Sequence, residues 1–150
     1  MFQKIFVPAL GGALGILLMV ALGDIAHLPL MLVPFTTSIV LVMSAPETPF
    51  ARPFNVLGGH ILSAVCGLAV LWALGDSPWF AALAVGLAIA AMQATDTMHP
   101  PAGINALIMV IAHPAWTFIL MPVAAGALVL VAFSYVYRDV ARRFVGGRRG

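Results

Sequence analysis

Charged residues are so sparse that they cut the 150-residue chain into long uncharged runs. Nineteen residues separate Lys4 from Asp24, 22 separate Asp24 from Glu47, and 23 separate Arg52 from Asp76. Another 19 lie between Asp76 and Asp96, and 41 between Asp96 and Arg138. A helix crosses the roughly 30 Å hydrocarbon core of a bilayer with about 20 apolar residues. Each of the first four runs therefore holds one spanning helix and the fifth holds two. The candidate segments are 5–23, 29–45, 54–75, 78–96, 101–112 and 116–137. Only 8% of the chain is charged and 63% is hydrophobic, whereas the water-facing surface of a soluble domain needs about a quarter charged residues. The expectation is an all-α, polytopic transmembrane bundle forming one domain over residues 1–150.

Five of the seven basic residues, Arg138, Arg142, Arg143, Arg148 and Arg149, crowd the C-terminus. Beside a membrane segment such a cluster reads as a cytoplasmic anchor rather than a nucleic-acid tail. Six crossings put Lys4, Arg52 and these arginines on one side and Asp24 and Asp76 on the other. The positive-inside rule then places both termini in the cytoplasm of a cell that carries the chain in its inner (plasma) membrane. Four crossings with two re-entrant segments also keep the termini inside, but export Arg52. The first apolar run is too long for a signal peptide and lacks a small-residue cleavage site, so it is expected to remain as a helix. One cysteine, Cys66, excludes an internal disulfide.

The second and fifth segments share a peculiarity. Residues 34–45 and 101–112 each begin on a proline, and each makes roughly 18 Å of helix at about 1.5 Å per residue, short of a full crossing. Proline suits the first helical turn, where no N–H is needed. Their approaches also match: residues 24–29 and 96–101 both read D-x-x-H-x-P. The pattern predicts four long helices and two short ones, crossing or re-entrant, arranged as repeats over 1–75 and 76–150, as in transporters built from inverted repeats. Chance likeness between two apolar, proline-rich halves is the alternative. Small residues at every fourth position (Gly11 and Gly15; Gly59, Ser63 and Gly67; Ala82, Gly86, Ala90 and Ala94) provide ridges for close helix packing.

A charge at the bilayer centre costs about 2.5–3.5 kcal/mol on insertion scales, so polar residues in these segments mark candidate sites. The densest group surrounds Pro100 and Pro101: Asp96, His99 and Asn105, with Gly103 able to admit a ligand or a neighbouring backbone. Asp96 is expected to set the tautomer of His99, and the helix beginning at Pro101 to aim its N–H groups at the same turn. Thr36, Thr37 and Ser38 form a parallel group in the second segment. Two facing half-helix N-termini lined with hydroxyls and a histidine would suit a small anion. The alternative places Asp96 and His99 in an interfacial loop and bonds the hydroxyls to the preceding turn. His60 either lines a pathway or bonds between helices, while His27 and His113 fall near segment ends. No His or Met pair has metal-site spacing, and no nucleophile elbow, HExxH motif or phosphate loop suggests an enzyme. No cofactor is implied, and there is no basic–aromatic interleaving for nucleic acid.

The string His99-Pro100-Pro101-Ala102-Gly103 resembles the signature of the HPP family of small integral membrane proteins. A second stretch supports it: residues 45–49, then Ala51, Pro53, Asn55 and Gly58-Gly59-His60. The resemblance covers about residues 8–135 and implies a four-helix transmembrane domain, with some members in chloroplasts and cyanobacteria linked to nitrite transport and others fused to CBS domains. Residues and resemblance together lead to a small transporter or channel-like protein for a small anion, nitrite the named candidate. A non-transporting scaffold or sensory module is the rival. A bundle this small offers little wall around a pathway, so a homo-oligomer is expected.

Overall fold

The computed structural model describes residues 2–28, 30 and 34–146. The start of the expected second segment, with Pro29, lies outside them. Among the described residues six α-helices follow one another: α1 (Phe2–Ala26), α2 (Phe35–Ser44), α3 (Pro53–Leu74), α4 (Pro78–Ala94), α5 (Ile104–Ala112) and α6 (Ala125–Gly146). There is no strand among the described residues.

Local chemistry fixes most of the ends. Pro53 opens α3 and Pro78 opens α4, each in the turn that needs no N–H. The Ser77 hydroxyl accepts the Trp79 N–H at 3.3 Å to cap α4. Both α1 and α4 close in a Schellman turn: the Leu28 N–H bonds the Gly23 carbonyl and the Thr97 N–H the Met92 carbonyl, each at 2.9 Å. The left-handed residue in these turns is His27 (φ 52°) in one and Asp96 (φ 53°) in the other, two of the residue types that tolerate that region best. Pro100–Gly103 forms a 3₁₀ turn ahead of α5. The chain kinks at Met121, before the cis Met121–Pro122 bond, and only then enters α6.

Helices that follow one another in the chain run in opposite directions. Gly11 of α1 faces Met43 and Tyr137, while Gly15 faces Ile39 and Phe133, so α2 and α6 both descend as α1 ascends. Ser38 lies six residues before the end of α2 and meets His60, seven residues into α3, across the short link between them. In α3, Gly59 faces His99 and Gly67 faces Ala106 and Met109, so α5 runs parallel to α3. At the other end, Asp76 in the α3–α4 turn meets His113 at the end of α5 at 3.4 Å. This alternation is the one that six segments require.

Among the described residues, three stretches are long and apolar enough to cross a membrane: Gln3–Ala26, Pro53–Leu74 and Trp116–Phe144. The expected fourth long helix, α4, has 17 residues, about 25 Å of rise. The last helix runs through Arg138 and Arg142 to Gly146, well past the expected limit at 137. In both α1–α3 and α4–α6 the middle helix is the shortest, yet the D-x-x-H-x-P motifs do not occupy equivalent places. Asp24 is inside α1 and His27 is exposed, whereas Asp96 lies beyond α4 and His99 is buried. The two Schellman turns therefore sit three residues apart within the motif.

Large apolar side chains cover the outside, Leu10, Leu17, Leu83 and Leu128 among them, as a lipid-facing surface requires. All three tryptophans, Trp72, Trp79 and Trp116, are exposed at the end of the bundle away from the two termini, where an aromatic belt would meet the lipid headgroups. Within the bundle, α3 is the pivot: α4 and α5 pack closely on it and α6 more lightly, while α2 packs on α1 and α6 and reaches α3 at His60 through Phe35 and Ser38. The contact of α3 with α5 depends on Gly67: a Cβ there would sit 2.6 Å from the Ala106 carbonyl oxygen and 2.7 Å from the Ala106 Cα. Backbone atoms cannot swing aside. Gly67→Ala is expected to destabilise the folded protein by about 1–3 kcal/mol. Gly86→Ala, where a Cβ meets nothing within 4 Å, should be neutral or slightly stabilising. Unfolding of both variants in detergent checks the contrast.

Candidate functional site

Two glycines bring the site together. A Cβ on Gly58 would lie 2.7 Å from Thr97 Cγ2, and one on Gly59 would lie 2.8 Å from His99 Cβ. Without those carbons, residues 97–99 lie directly against α3, and His99 arrives beside His60. The Asn55 amide holds this segment by donating to the carbonyls of Asp96 and Met98, both at 3.1 Å. The 3₁₀ turn then closes with the Ala102 N–H on the His99 carbonyl at 2.9 Å. Next, the Ser63 hydroxyl accepts the Ala106 N–H at 3.1 Å and donates to the Gly103 carbonyl at 3.3 Å, tying the first turn of α5 to α3.

Four side chains meet at the centre of this frame: Ser38 of α2, His60 of α3, His99 ahead of α5, and Asn105 of α5. All four are 0% exposed. Ser38 Oγ lies 2.9 Å from His60 Nε2 and 2.9 Å from His99 Nε2. His99 Nδ1 lies 2.7 Å from the Phe50 carbonyl oxygen. Asn105 Nδ2 lies 2.9 Å from His60 Nδ1 and 3.2 Å from the His60 carbonyl oxygen. The two rings are 5.2 Å apart between centroids, and Phe35 stacks obliquely on the far side of His60, also at 5.2 Å.

The partners assign the tautomers of the neutral rings. A carbonyl only accepts, so His99 carries its proton on Nδ1 and presents a bare Nε2. The Asn105 amide nitrogen, placed by the His60 carbonyl, donates to His60 Nδ1, so the His60 proton is on Nε2. The bonds then run one way: Asn105 N–H to His60 Nδ1, His60 Nε2–H to Ser38 Oγ, Ser38 O–H to His99 Nε2, and His99 Nδ1–H to Phe50. Every N–H and O–H of the four side chains is donated. One acceptor remains, Asn105 Oδ1, which has no partner.

Of the ten residues selected from sequence, Ser38, His60, His99 and Asn105 converge. Asp96 does not set the His99 tautomer. Its side chain is exposed, its backbone serves as the left-handed turn residue of α4, and the Phe50 carbonyl does the orienting. Thr36 and Thr37 face outward, Thr37 bonding back to the Pro34 carbonyl at 2.9 Å. Only every third or fourth residue of α2 can face the core, and Phe35, Ser38 and Ile39 take those positions. Pro100 is exposed and Pro101 half-buried, and both shape the turn. A Cβ on Gly103 would meet nothing within 4 Å; the close approach occurs at Gly58 and Gly59 instead. Sequence reasoning missed Phe50, whose role belongs to its backbone, and passed over Asn55 and Ser63 as motif or packing residues. A polar residue one helical turn from His60 was the available signal for Ser63.

A separate cleft of about 800 Å³ opens between α1, α2 and α6 on the side of the termini, lined by Lys4, Ser44, Glu47, Tyr137, Arg138 and Arg142 among others. No group of three or more His, Cys, Asp or Glu residues suited to a metal occurs among the described residues.

Removing the Ser38 hydroxyl strands a donor on His60 and an acceptor on His99, each costing about 1–3 kcal/mol when buried. Ser38→Ala should therefore lower unfolding stability by about 2 kcal/mol or more. Thr37→Val, on the exposed neighbour, should stay within about 0.5 kcal/mol of the parent.

A family model described as "HPP, transmembrane region" matches residues 1–145. One transmembrane protein of Dictyostelium discoideum is 35% identical over 126 residues, covering 79% of this chain and 44% of its own length. A second from the same organism is 38% identical over 117 residues, covering 73% of this chain and 38% of its own. The chain thus spans less than half the length of either relative. No solved structure matches it. The residues that give the family its name are the ones that deliver His99 to the buried cluster, and the chain belongs to the HPP family of transmembrane proteins.

Proposed function

We propose that this membrane protein is a small, non-enzymatic transporter or channel-like protein for a small inorganic anion, with nitrite the candidate carried by the family resemblance. The reading rests on the Ser38–His60–His99–Asn105 cluster. In a chain this apolar, four fully buried polar side chains at a shared depth are costly to keep. They join the two short helices to α3, the arrangement expected where broken helices line a substrate path. With its donors all committed, the cluster has no N–H or O–H to offer an anion. In this reading it is therefore the closed gate of the path, and opening would free the Ser38 hydroxyl and the ring N–H groups for the ion. Lys4, Arg138 and Arg142 around the cleft beside α2 would draw anions from the side of the termini; in this reading that side faces the cytoplasm of a plasma membrane, which the positive-inside rule supports. Copies of the chain would associate to complete the wall.

A second reading is favoured by the same burial: a sealed, fully bonded cluster also suits a scaffold or sensory module that moves nothing. Nitrite uptake into liposomes carrying the purified protein separates the two. The transport reading expects uptake above that of empty liposomes, loss of most of it in His99→Ala, and a reduction of about threefold or more in Arg138→Gln/Arg142→Gln without unfolding. Uptake equal to empty liposomes supports the scaffold.

A further inference from the structure

The Ser38 hydroxyl has more partners than it has protons. Its oxygen lies 2.9 Å from both ring Nε2 atoms and 3.0 Å from the Pro34 carbonyl oxygen. With both rings neutral, its single proton goes to His99, and the contact with Pro34 is not a hydrogen bond. The Pro34 carbonyl does not suffer, because it accepts the Thr37 hydroxyl and the Ser38 N–H.

We infer that the Ser38–His60–His99–Asn105 cluster is a binding site for one proton, with the Ser38 hydroxyl as the element that rearranges. The proton adds to His99 Nε2, which becomes a donor. Ser38 Oγ then accepts from His99 and His60 through its two lone pairs, and its own O–H swings to the Pro34 carbonyl. The Pro34 carbonyl has two lone pairs, so the exposed Thr37 hydroxyl yields its place there. Within the four-residue cluster no bond is lost and one is gained, and all three short contacts of Ser38 become hydrogen bonds only in the protonated form. No heavy atom has to move.

The same geometry limits the site to one proton. A proton on His60 would have to enter at Nδ1, which faces the Asn105 N–H. Turning the amide to present Oδ1 would forfeit its bond to the His60 carbonyl. A second positive charge would also lie in a ring 5.2 Å from the first, where like charges oppose ionisation. The groups packed around the pair contribute no counter-charge. Phe35 and Ser38 come from α2, Asn55 and Ser63 from α3, Met92 from α4 and Asn105 from α5, while the nearest charged residues along the chain, Glu47, Arg52 and Asp96, are exposed. The inference concerns the proton alone and does not depend on which ion, if any, the protein carries.

Nitrogen-15 NMR of the imidazoles tests it, on the full chain in lipid nanodiscs with His27→Gln and His113→Gln to leave the two buried rings. The expected neutral spectrum has opposite tautomers, Nδ1–H on His99 and Nε2–H on His60. Acidification should add a second N–H to His99 while His60 keeps its tautomer. Ser38→Thr should preserve this step, and Ser38→Ala should weaken proton uptake at His99 about tenfold, the scale of one charge-assisted hydrogen bond. The inference is overturned by identical tautomers on the two rings, by protonation of His60 first, or by a folded Ser38→Ala protein that titrates like its parent. Should Ser38→Ala not fold, the tautomers and the order of protonation in the parent still decide.

Discussion

Inside a bilayer a polar group has no water to fall back on, so each must find its partner within the protein. The bond pair at Ser38 Oγ is how this chain meets that demand where its helices are broken. One hydroxyl, on the short helix α2, is held between a ring from α3 and a ring from the turn that starts α5. Three separate parts of the sequence are thereby brought to one point. The bond to Phe50 extends the reach to the α2–α3 link, and the bond from Asn105 to the body of α5. Each link removes a group that would otherwise be stranded, so the loss of one is felt by its neighbours.

That meeting is possible only because the surrounding packing is so close. Apolar burial does not separate helix from lipid, and helices in a membrane hold together by van der Waals fit and interhelical hydrogen bonds. At Gly58 and Gly59 the missing side chains admit residues 97–99, and at Gly67 the backbone of α5 lies against that of α3. The Gly-Gly-His and His-Pro-Pro strings are thus two halves of one device. The glycines clear the space, the prolines turn the chain into it, and the histidines fill it. This connection explains why two motifs some forty residues apart in sequence serve a single contact.

Much of this was legible in the sequence because charge and proline act locally. The uncharged runs placed six helices in order, but α2 begins at Phe35 rather than 29, and the last begins only at Ala125, after the kink at Met121, and continues past Arg138. His60, His99, Ser38 and Asn105 could be picked out as polar residues in apolar surroundings. Their mutual bonding could not, since it depends on the rotation of α2 about its axis, which sends Thr36 and Thr37 outward and Ser38 inward. The choice of Asp96 as the partner of His99 failed for a related reason. Proximity in sequence suggested a carboxylate, but the Schellman turn points that side chain away, and a backbone carbonyl with no side-chain signature takes its place. The twin D-x-x-H-x-P strings misled similarly, because helix ends fall at different points within them.

The central claim is that Ser38 bonds directly to the histidines and holds the short helices to α3. A double-mutant cycle between Ser38→Ala and His60→Ala, read as unfolding free energy in detergent, measures that bond itself. Directly bonded residues in one network couple by about 0.5–3 kcal/mol, while independent sites add. A coupling within that range is predicted. Losses that simply sum would contradict the account, because they would mean that the two side chains do not sense one another.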